Sequence, residues 1–145
     1  MIVHNVNQDL ESSASEISNL IIDGKFKLSS PQDIIIGNIL ANNLRVSIGD
    51  KIQFTNYNKV FKQDSFMITG IFDSGIYEYN QRFIYGSDLA LTNRDSYTYI
   101  KLKLSDPLNA AKISRDLFNQ YSIISSNWTE THNALFQAIG NEKRV

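Results

Sequence analysis

Cysteine and histidine, two side-chain types that often perform catalysis, are absent or scarce in this chain of 145 residues. It has no cysteine, which excludes a thiol nucleophile, a disulfide scaffold and a cysteine metal site. The two histidines, His4 and His132, lack the spacing to a second His, Asp or Glu that a zinc site needs. A surface or helix-capping role is therefore favoured for each. We expect a protein that is not an enzyme and that uses no cofactor and no metal.

Two short patterns resemble parts of catalytic or binding sites. Gly24-Lys25 is similar to the end of a phosphate loop, but the upstream glycine is missing and Phe26 stands where Ser or Thr would bind magnesium. Asp73 and Glu78 could form a carboxylate pair, although a solvated loop is the commoner explanation for such residues. Neither pattern changes the expectation that the protein is not an enzyme, and we expect it to act by binding.

Aromatic and basic residues alternate over one segment, at Tyr97, Tyr99, Lys101 and Lys103. On one face of a sheet, such residues can stack on bases and neutralise phosphates, as in RNA-binding α/β modules. A solvated or interface-covered strand face explains the pattern as well, and it is favoured by 15 acidic against 14 basic side chains. The RNA-binding module remains the alternative from a different functional class.

Short periodic segments predict the elements that must position these residues. The predicted strands are 33–37, 51–55, 64–72, 82–85, 97–104 and 122–125. The predicted helices are 8–22, a segment carrying Ile39, Leu40 and Leu44, a short helix from about Ser87, a helix from Asp106-Pro107 to about Gln120, and a last helix from about Thr129. Residues 73–81 are predicted to be a glycine-containing loop. The residues expected in the core are Phe54, Phe66, Ile68, Phe72, Ile100 and Leu102.

These elements predict an α+β fold. We expect a mainly antiparallel β-rich lobe, a partial β-α-β lobe and a C-terminal membrane-proximal helix. Hydrophobic residues make up 42% and charged residues 20% of the chain, which are ordinary values for a globular domain. No apolar run approaches the roughly 18 residues that a membrane-spanning helix needs.

Four segments in order resemble the periplasmic region of lipoprotein-releasing ABC permeases of the LolC/LolE type, and more distantly the MacB-like extracytoplasmic core domain. The resemblance covers roughly residues 22–145. The segments that carry it are Ile34–Ala41 with Ser47–Ile52, Phe66–Phe72 with Gly75–Tyr79, Tyr99–Leu104 with Ser105–Leu108, and Asn127–Thr129 with Asn133–Ile139 and Glu142-Lys143.

The resemblance implies an architecture and a location. Residues 1–95 would be the β-rich inserted lobe, 96–128 a partial α/β lobe, and 129–145 a helix that leads to a transmembrane span absent from this chain. The first membrane span and the upstream part of the α/β lobe would also be missing. The parent protein would lie in the inner membrane with this region on the periplasmic face.

The resemblance also implies a function without catalysis, namely release of lipoproteins from the inner membrane and their transfer to a periplasmic carrier. The implied partners are a second permease subunit, an ABC ATPase subunit, the lipoprotein cargo and that carrier, with membrane contact through the missing spans and with no nucleic acid. A MacB- or FtsX-like regulatory or efflux permease domain is the nearer alternative.

Two groups of residues are candidates for partner binding. The family's carrier-binding member has a long hairpin with proline and glycine, where this chain has only residues 56–63. It therefore stays open whether this chain receives lipoprotein instead or carries a reduced hairpin. The first candidates lie on that connection and are Tyr57, Lys59, Phe61, Lys62 and Gln63, since exposed aromatic and basic side chains are typical of binding hot spots. The second candidates lie on the 73–81 loop and are Asp73, Tyr77, Glu78 and Tyr79.

Overall fold

A computed structural model describes residues 1–55, 63–88 and 99–131, and the chain has an α+β fold. It divides into two compact units, Met1–Lys101 and Leu102–Val145. In the first unit the elements are β1 (Ile2–Val6), α1 (Gln8–Ala14), a 3₁₀ helix (Ile17–Leu20), β2 (Ile21–Gly24), β3 (Asp33–Gly37), α2 (Asn38–Leu44), β4 (Lys51–Thr55), β5 (Gln63–Phe72), α3 (Tyr77–Arg82) and β6 (Phe83–Ser87).

The six strands of the described ranges form one mixed sheet in the order β1-β6-β3-β5-β2, with β4 also paired to β5. Three pairings are antiparallel (β2–β5, β3–β6 and β4–β5), and two are parallel (β1–β6 and β3–β5). The long β5 is the centre of this arrangement, because its two halves pair with different neighbours. Its first half forms a hairpin with β4, in which Thr55 stands opposite Gln63.

The core lies on both faces of β3, whose residues are all buried. Ile34 and Ile36 pack on one face with Ile68 and Ile84, while Ile35 packs on the other face with Phe72 and others. A strand covered on both faces has a continuous apolar sequence, because neither row of side chains contacts water. The predicted strands 33–37 and 64–72 are therefore confirmed. Ile68 and Phe72 are buried as expected, and Phe54 and Phe66 are half-buried against the same core.

The second unit contains a 3₁₀ turn (Pro107–Asn109), α4 (Ala110–Tyr121) and α5 (Trp128–Thr131). The predicted start at Asp106-Pro107 is confirmed, since the Asp106 carboxylate accepts a hydrogen bond from the Leu108 amide at 3.0 Å. The helix ends where Ser122 adopts a left-handed conformation with φ 56°. The Trp128 indole donates a hydrogen bond to the Pro107 carbonyl at 2.7 Å and so joins α5 to the start of this unit.

The first third of the chain differs from the sequence prediction. Instead of one helix over 8–22, α1 ends at Ala14 and residues 21–24 form β2, which pairs with the end of β5. The strand β1 was not predicted, because its sequence lacks a regular apolar alternation. It forms because the edge of β6 offers a parallel partner. The predicted loop over 73–81 contains α3, which was missed because its apolar pattern is only six residues long.

Two predicted strands in the last third are wrong. Residues 99–104 and 122–125 are irregular, and Ile100 and Leu102, which we expected in the core, are 81% and 60% exposed. Alternation produces a strand only when a neighbouring strand offers hydrogen-bonding groups, and the 99–104 backbone has no strand partner among the described residues. The predicted helix from Ser87 and the last helix beyond Thr131 lie mainly outside the described residues.

No helix within 1–55, 63–88 or 99–131 combines the length and the apolar character that a bilayer crossing requires.

Candidate functional site

An open cleft of about 160 Å³ lies in the first unit, beside the 3₁₀ helix and the end of β5. The buried side chains of Ile17 and Phe72 contribute to its lining, which is mainly apolar. The other lining residues are Ser15, Glu16, Leu20, Ser74, Tyr79, Phe83 and Tyr85. The cleft therefore joins the segment after α1 to residues from α3 and β6.

Aromatic rings fix the position of one wall of this cleft. The Tyr79 and Phe83 rings stack with centroids 4.7 Å apart and an interplanar angle of 13°. Phe72 meets Tyr85 in a T-shaped arrangement at 5.7 Å, and His4 stacks on Tyr85 at 5.6 Å. Such contacts add to the energy of burial and restrict the rings to defined positions.

A polar network at the end of β5 positions α3 and therefore Tyr79. The Asp73 carboxylate accepts hydrogen bonds from the Gly75 amide at 2.9 Å, from Asn80 Nδ2 at 2.6 Å and from Asn38 Nδ2 at 3.0 Å. The buried Asn80 accepts in turn from the amide and the hydroxyl of Ser74. The hydrogen bond from the Gly75 amide, with those from the asparagine side chains, lowers the pKa of Asp73 below its usual value.

Gly37 permits the close approach of α3 to the sheet. A Cβ atom added at Gly37 would stand 2.6 Å from the Asn80 Cα, and no other residue type can fit there without a shift of backbone. The glycine at the end of β3 is thus part of the support of the cleft, although it does not line it.

A second polar group joins residues that are distant in sequence. The His4 ring nitrogen Nδ1 lies 2.8 Å from the Tyr99 hydroxyl, and the Lys101 ammonium lies 2.6 Å from the Glu11 carboxylate. Glu11 is buried and also accepts a hydrogen bond from the Ser15 hydroxyl at 2.7 Å. These contacts hold residues 99–101 to the N-terminal strand and helix of the first unit.

Burial is the main cause of the pKa shifts of His4 and Tyr85, whose rings stack in this region. It lowers the pKa of His4, and the nearby Lys101 acts in the same direction while Glu11 opposes it. Burial also raises the pKa of Tyr85 to about 12, with a smaller contribution from Glu11. At neutral pH both rings are therefore uncharged, so neither Tyr85 in the wall of the cleft nor His4 stacked on it brings a charge to this region.

The structure places the second group of predicted site residues on α3 and the turn before it. Tyr79 lines the cleft, and Asp73 holds the turn. Tyr77, which is 62% exposed, and Glu78 are on the surface of α3 and do not line the cleft. Asp73 is bonded to amide groups and not paired with Glu78, so no two-carboxylate site forms.

Most of the first group of predicted site residues lies outside the described residues. These are Tyr57, Lys59, Phe61 and Lys62. Gln63 is the first residue of β5, and its backbone pairs with Thr55 of β4. The connection that carries these residues therefore links the two strands of a hairpin.

Sequence reasoning missed the residues that form the rest of this region. Ser15, Glu16, Ile17 and Leu20 were assigned to an unbroken helix, and no periodic signal separates them from it. Glu11 stands 90 residues from Lys101, and a pairing over that distance depends on the fold. Tyr99 and Lys101 were identified in the sequence, but as part of an alternating pattern with a different interpretation.

The described residues contain no group of three or more His, Asp and Glu side chains that could hold a metal ion. In the comparisons with known proteins, the chain matches no protein-family model, and it matches none of the curated proteins.

Proposed function

We propose that this chain is a non-enzymatic extracytoplasmic domain of an ABC transporter permease of the lipoprotein-releasing type. In this proposal the parent complex lies in the inner membrane, with the chain on the periplasmic face. It contains a partner permease subunit and an ABC ATPase subunit, and it transfers lipoprotein to a periplasmic carrier.

The observation that supports this proposal is that the four segments of the resemblance form two pairs in direct contact. In the first unit, Ile34 of the first segment stands opposite Ile68 of the second in the parallel pairing of β3 with β5. In the second unit, Trp128 of the fourth segment donates to the carbonyl of Pro107 in the third. If the chain shares the architecture of that family, the segments that carry the resemblance should lie in contact although they are far apart in sequence.

The hairpin of β4 and β5 supports a role for the connection between them in binding the carrier. The strands β4 and β5 are antiparallel, with Thr55 opposite Gln63, and residues 56–62 connect them in sequence. Its aromatic and basic residues, Tyr57, Lys59, Phe61 and Lys62, are of the types that dominate binding energies at interfaces.

The described residues do not support the strand face from which the RNA-binding alternative was argued. It required a strand whose face carries Tyr97, Tyr99, Lys101 and Lys103, and from Tyr99 onward this segment is irregular. The Lys101 ammonium is bonded to Glu11, and the Tyr99 hydroxyl to His4. A MacB- or FtsX-like permease domain remains compatible with the fold, and it differs from our proposal in the protein that it binds.

Co-isolation from solubilised membranes tests the transport part of the proposal. Antibodies against this chain should isolate an ABC ATPase subunit together with a second permease subunit. Recovery of the chain without an ATPase would contradict the proposal. Recovery with an ATPase but without lipoprotein or carrier would favour the MacB- or FtsX-like alternative.

A pull-down with the periplasmic lipoprotein carrier of the same host tests the binding part. We expect the purified chain to capture the carrier, and the double variant Tyr57→Ala/Phe61→Ala to lose that capture, because hot-spot truncations commonly cost about 2 kcal/mol or more each. Tyr121→Ala is the matched control, since Tyr121 is 67% exposed on α4. Capture that survives the double substitution would place the contact elsewhere, with exposed Tyr77 and Glu78 as the next residues to change.

A further inference from the structure

We propose that residues 99–101 form a strap over β1 and α1 that opens when His4 takes up a proton. The strap is a pH-sensitive device that lies entirely within the first unit. It depends neither on the transport proposal nor on the binding of a carrier.

Two side chains of the strap hold it to the N-terminal elements. The Tyr99 hydroxyl lies 2.8 Å from Nδ1 of His4 in β1, and the Lys101 ammonium lies 2.6 Å from the carboxylate of Glu11 in α1. Ile100, which stands between them, is 81% exposed. Residues 99–101 form no strand pairing within the described ranges, so closure of the strap depends on these side-chain contacts.

His4 is the group whose protonation disturbs the first of these contacts. Its Nε2 atom is buried and has no hydrogen-bond partner in the part of the chain that the structure describes. A neutral imidazole carries a proton on one ring nitrogen, and an imidazolium carries one on both. Protonation therefore either removes the acceptor that Nδ1 offers to Tyr99 or places a donor on Nε2 where no acceptor stands. A buried donor or charge without a partner is costly.

Charged neighbours connect the same proton to the second contact. The titratable groups that face His4 are Tyr85 of β6, Glu11 of α1, and Tyr99 and Lys101 of the strap. The Lys101 ammonium repels an imidazolium, whereas the buried Glu11 carboxylate attracts it. A protonated His4 therefore competes with Lys101 for Glu11, and it weakens this ion pair as well as the contact with Tyr99.

The direction of the response follows from the two states of the strap. Burial and Lys101 lower the pKa of His4 while the strap is closed, and opening returns the ring toward its ordinary pKa of 6.5. The open state therefore binds the proton more tightly, so acidification favours opening. Between about pH 7.5 and 5.5 the ratio of open to closed strap can rise up to about tenfold, which turns an open population of about 10% into about one half.

Paramagnetic relaxation enhancement in NMR spectra of the full chain measures this opening. The chain has no native cysteine, so an Ile100→Cys variant carries a nitroxide label at a single, exposed position of the strap. We expect the label to broaden the amide signals of residues 3–11 at pH 7.5, and to broaden them about half as much at pH 5.5. Equal broadening at the two pH values would overturn the proposal.

Variants of the two histidines assign the response to His4. His4→Gln retains a polar side chain that does not titrate, so the broadening should then be the same at both pH values. His132→Gln is the matched control, because it removes the other histidine of the chain and should leave the response unchanged. A response that survives His4→Gln, or one that disappears with His132→Gln, would contradict the proposal.

The labelled chain with both histidines in place decides the question if His4→Gln does not fold. The chemical shifts of the His4 ring report its protonation, and the loss of broadening should follow them with the same midpoint, below pH 6.5. Midpoints that differ would show that another group opens the strap.

Discussion

His4 stands where three aromatic rings and two charged side chains meet. The centroid of its ring lies within 6.2 Å of the ring centroids of Phe83, Tyr85 and Tyr99. Its Nδ1 atom lies beside the Tyr99 hydroxyl. Its Nε2 atom is buried without a hydrogen-bond partner among the described residues. Burial and the nearby Lys101 lower the pKa of the imidazole, so the neutral form is the one that the folded chain accommodates.

We expect the free energy of unfolding to fall as the pH is lowered below 6.5, and to fall less steeply in a His4→Gln variant. The pKa of His4 is lower in the folded chain than its ordinary value of 6.5, so the unfolded chain takes up the proton first and acidification favours unfolding. Urea denaturation between about pH 7.5 and 5.5 measures both slopes, above the range in which carboxylates titrate. Equal slopes for the two proteins would show that His4 does not couple protonation to folding.

At the scale of the elements, the position of α3 depends on contacts with two other parts of the sheet. Its buried Asn80 bonds to Asp73 and Ser74 after β5, and its backbone at Asn80 lies against Gly37 at the end of β3. The helix is only six residues long, so its own hydrogen bonds contribute little stability. Tertiary contacts therefore decide whether the wall of the cleft forms.

Replacing Gly37 with alanine should destabilise the chain by about 1–3 kcal/mol, because the added Cβ displaces backbone at Asn80. Gly86→Ala is the matched control. Gly86 is also buried in a strand, but the Cβ added there would meet the Asn5 side chain at 2.7 Å, and a side chain can rotate away. Chemical denaturation of both variants measures the difference. A loss at Gly86 as large as the loss at Gly37 would contradict the proposed support of α3 by this glycine.

At the scale of the whole molecule, regular structure and burial are distributed unevenly along the chain. β3 is paired on both sides over residues 34–36 and β5 over residues 70–72, and these two strands contain most of the fully buried side chains. Residues 99–104 have a sequence typical of a strand but no strand partner among the described residues, and Ile100 and Leu102 of their apolar row are exposed. The side chains of Tyr99 and Lys101 are the contacts that hold the start of this segment.

Hydrogen exchange should separate these regions. We expect the amides of residues 34–36 and 68–71 to exchange slowest, since they open only with global unfolding, and those of residues 100–104 to exchange faster by orders of magnitude. Mass spectrometry after peptic digestion measures both regions in one experiment. Slow exchange over 100–104 would mean that a second copy or another segment pairs with this strand-like sequence, and light scattering would then show whether the chain is dimeric.

The sequence by itself determined the centre of the fold and several local features. Continuous apolar residues over 33–37 and alternation over 51–55 specified strands, because side chains that face a core on one or both sides must follow the strand period. The start of the helix at Asp106-Pro107 was equally local, since a capping carboxylate and a ring with fixed φ act on adjacent residues. Of the residues at the cleft, the sequence singled out Tyr79 and its support Asp73.

The tertiary structure decided what depends on residues far apart in sequence. The same alternation that forms β4 beside β5 leaves residues 99–104 irregular, because a strand needs a neighbour whose position the local sequence does not encode. The cleft exists because the segment after α1, the end of β5 and the residues of α3 and β6 meet in space. The pairing of Glu11 with Lys101 and the approach of Gly37 to Asn80 have the same origin. Each requires chain segments to be packed together before the two groups can interact.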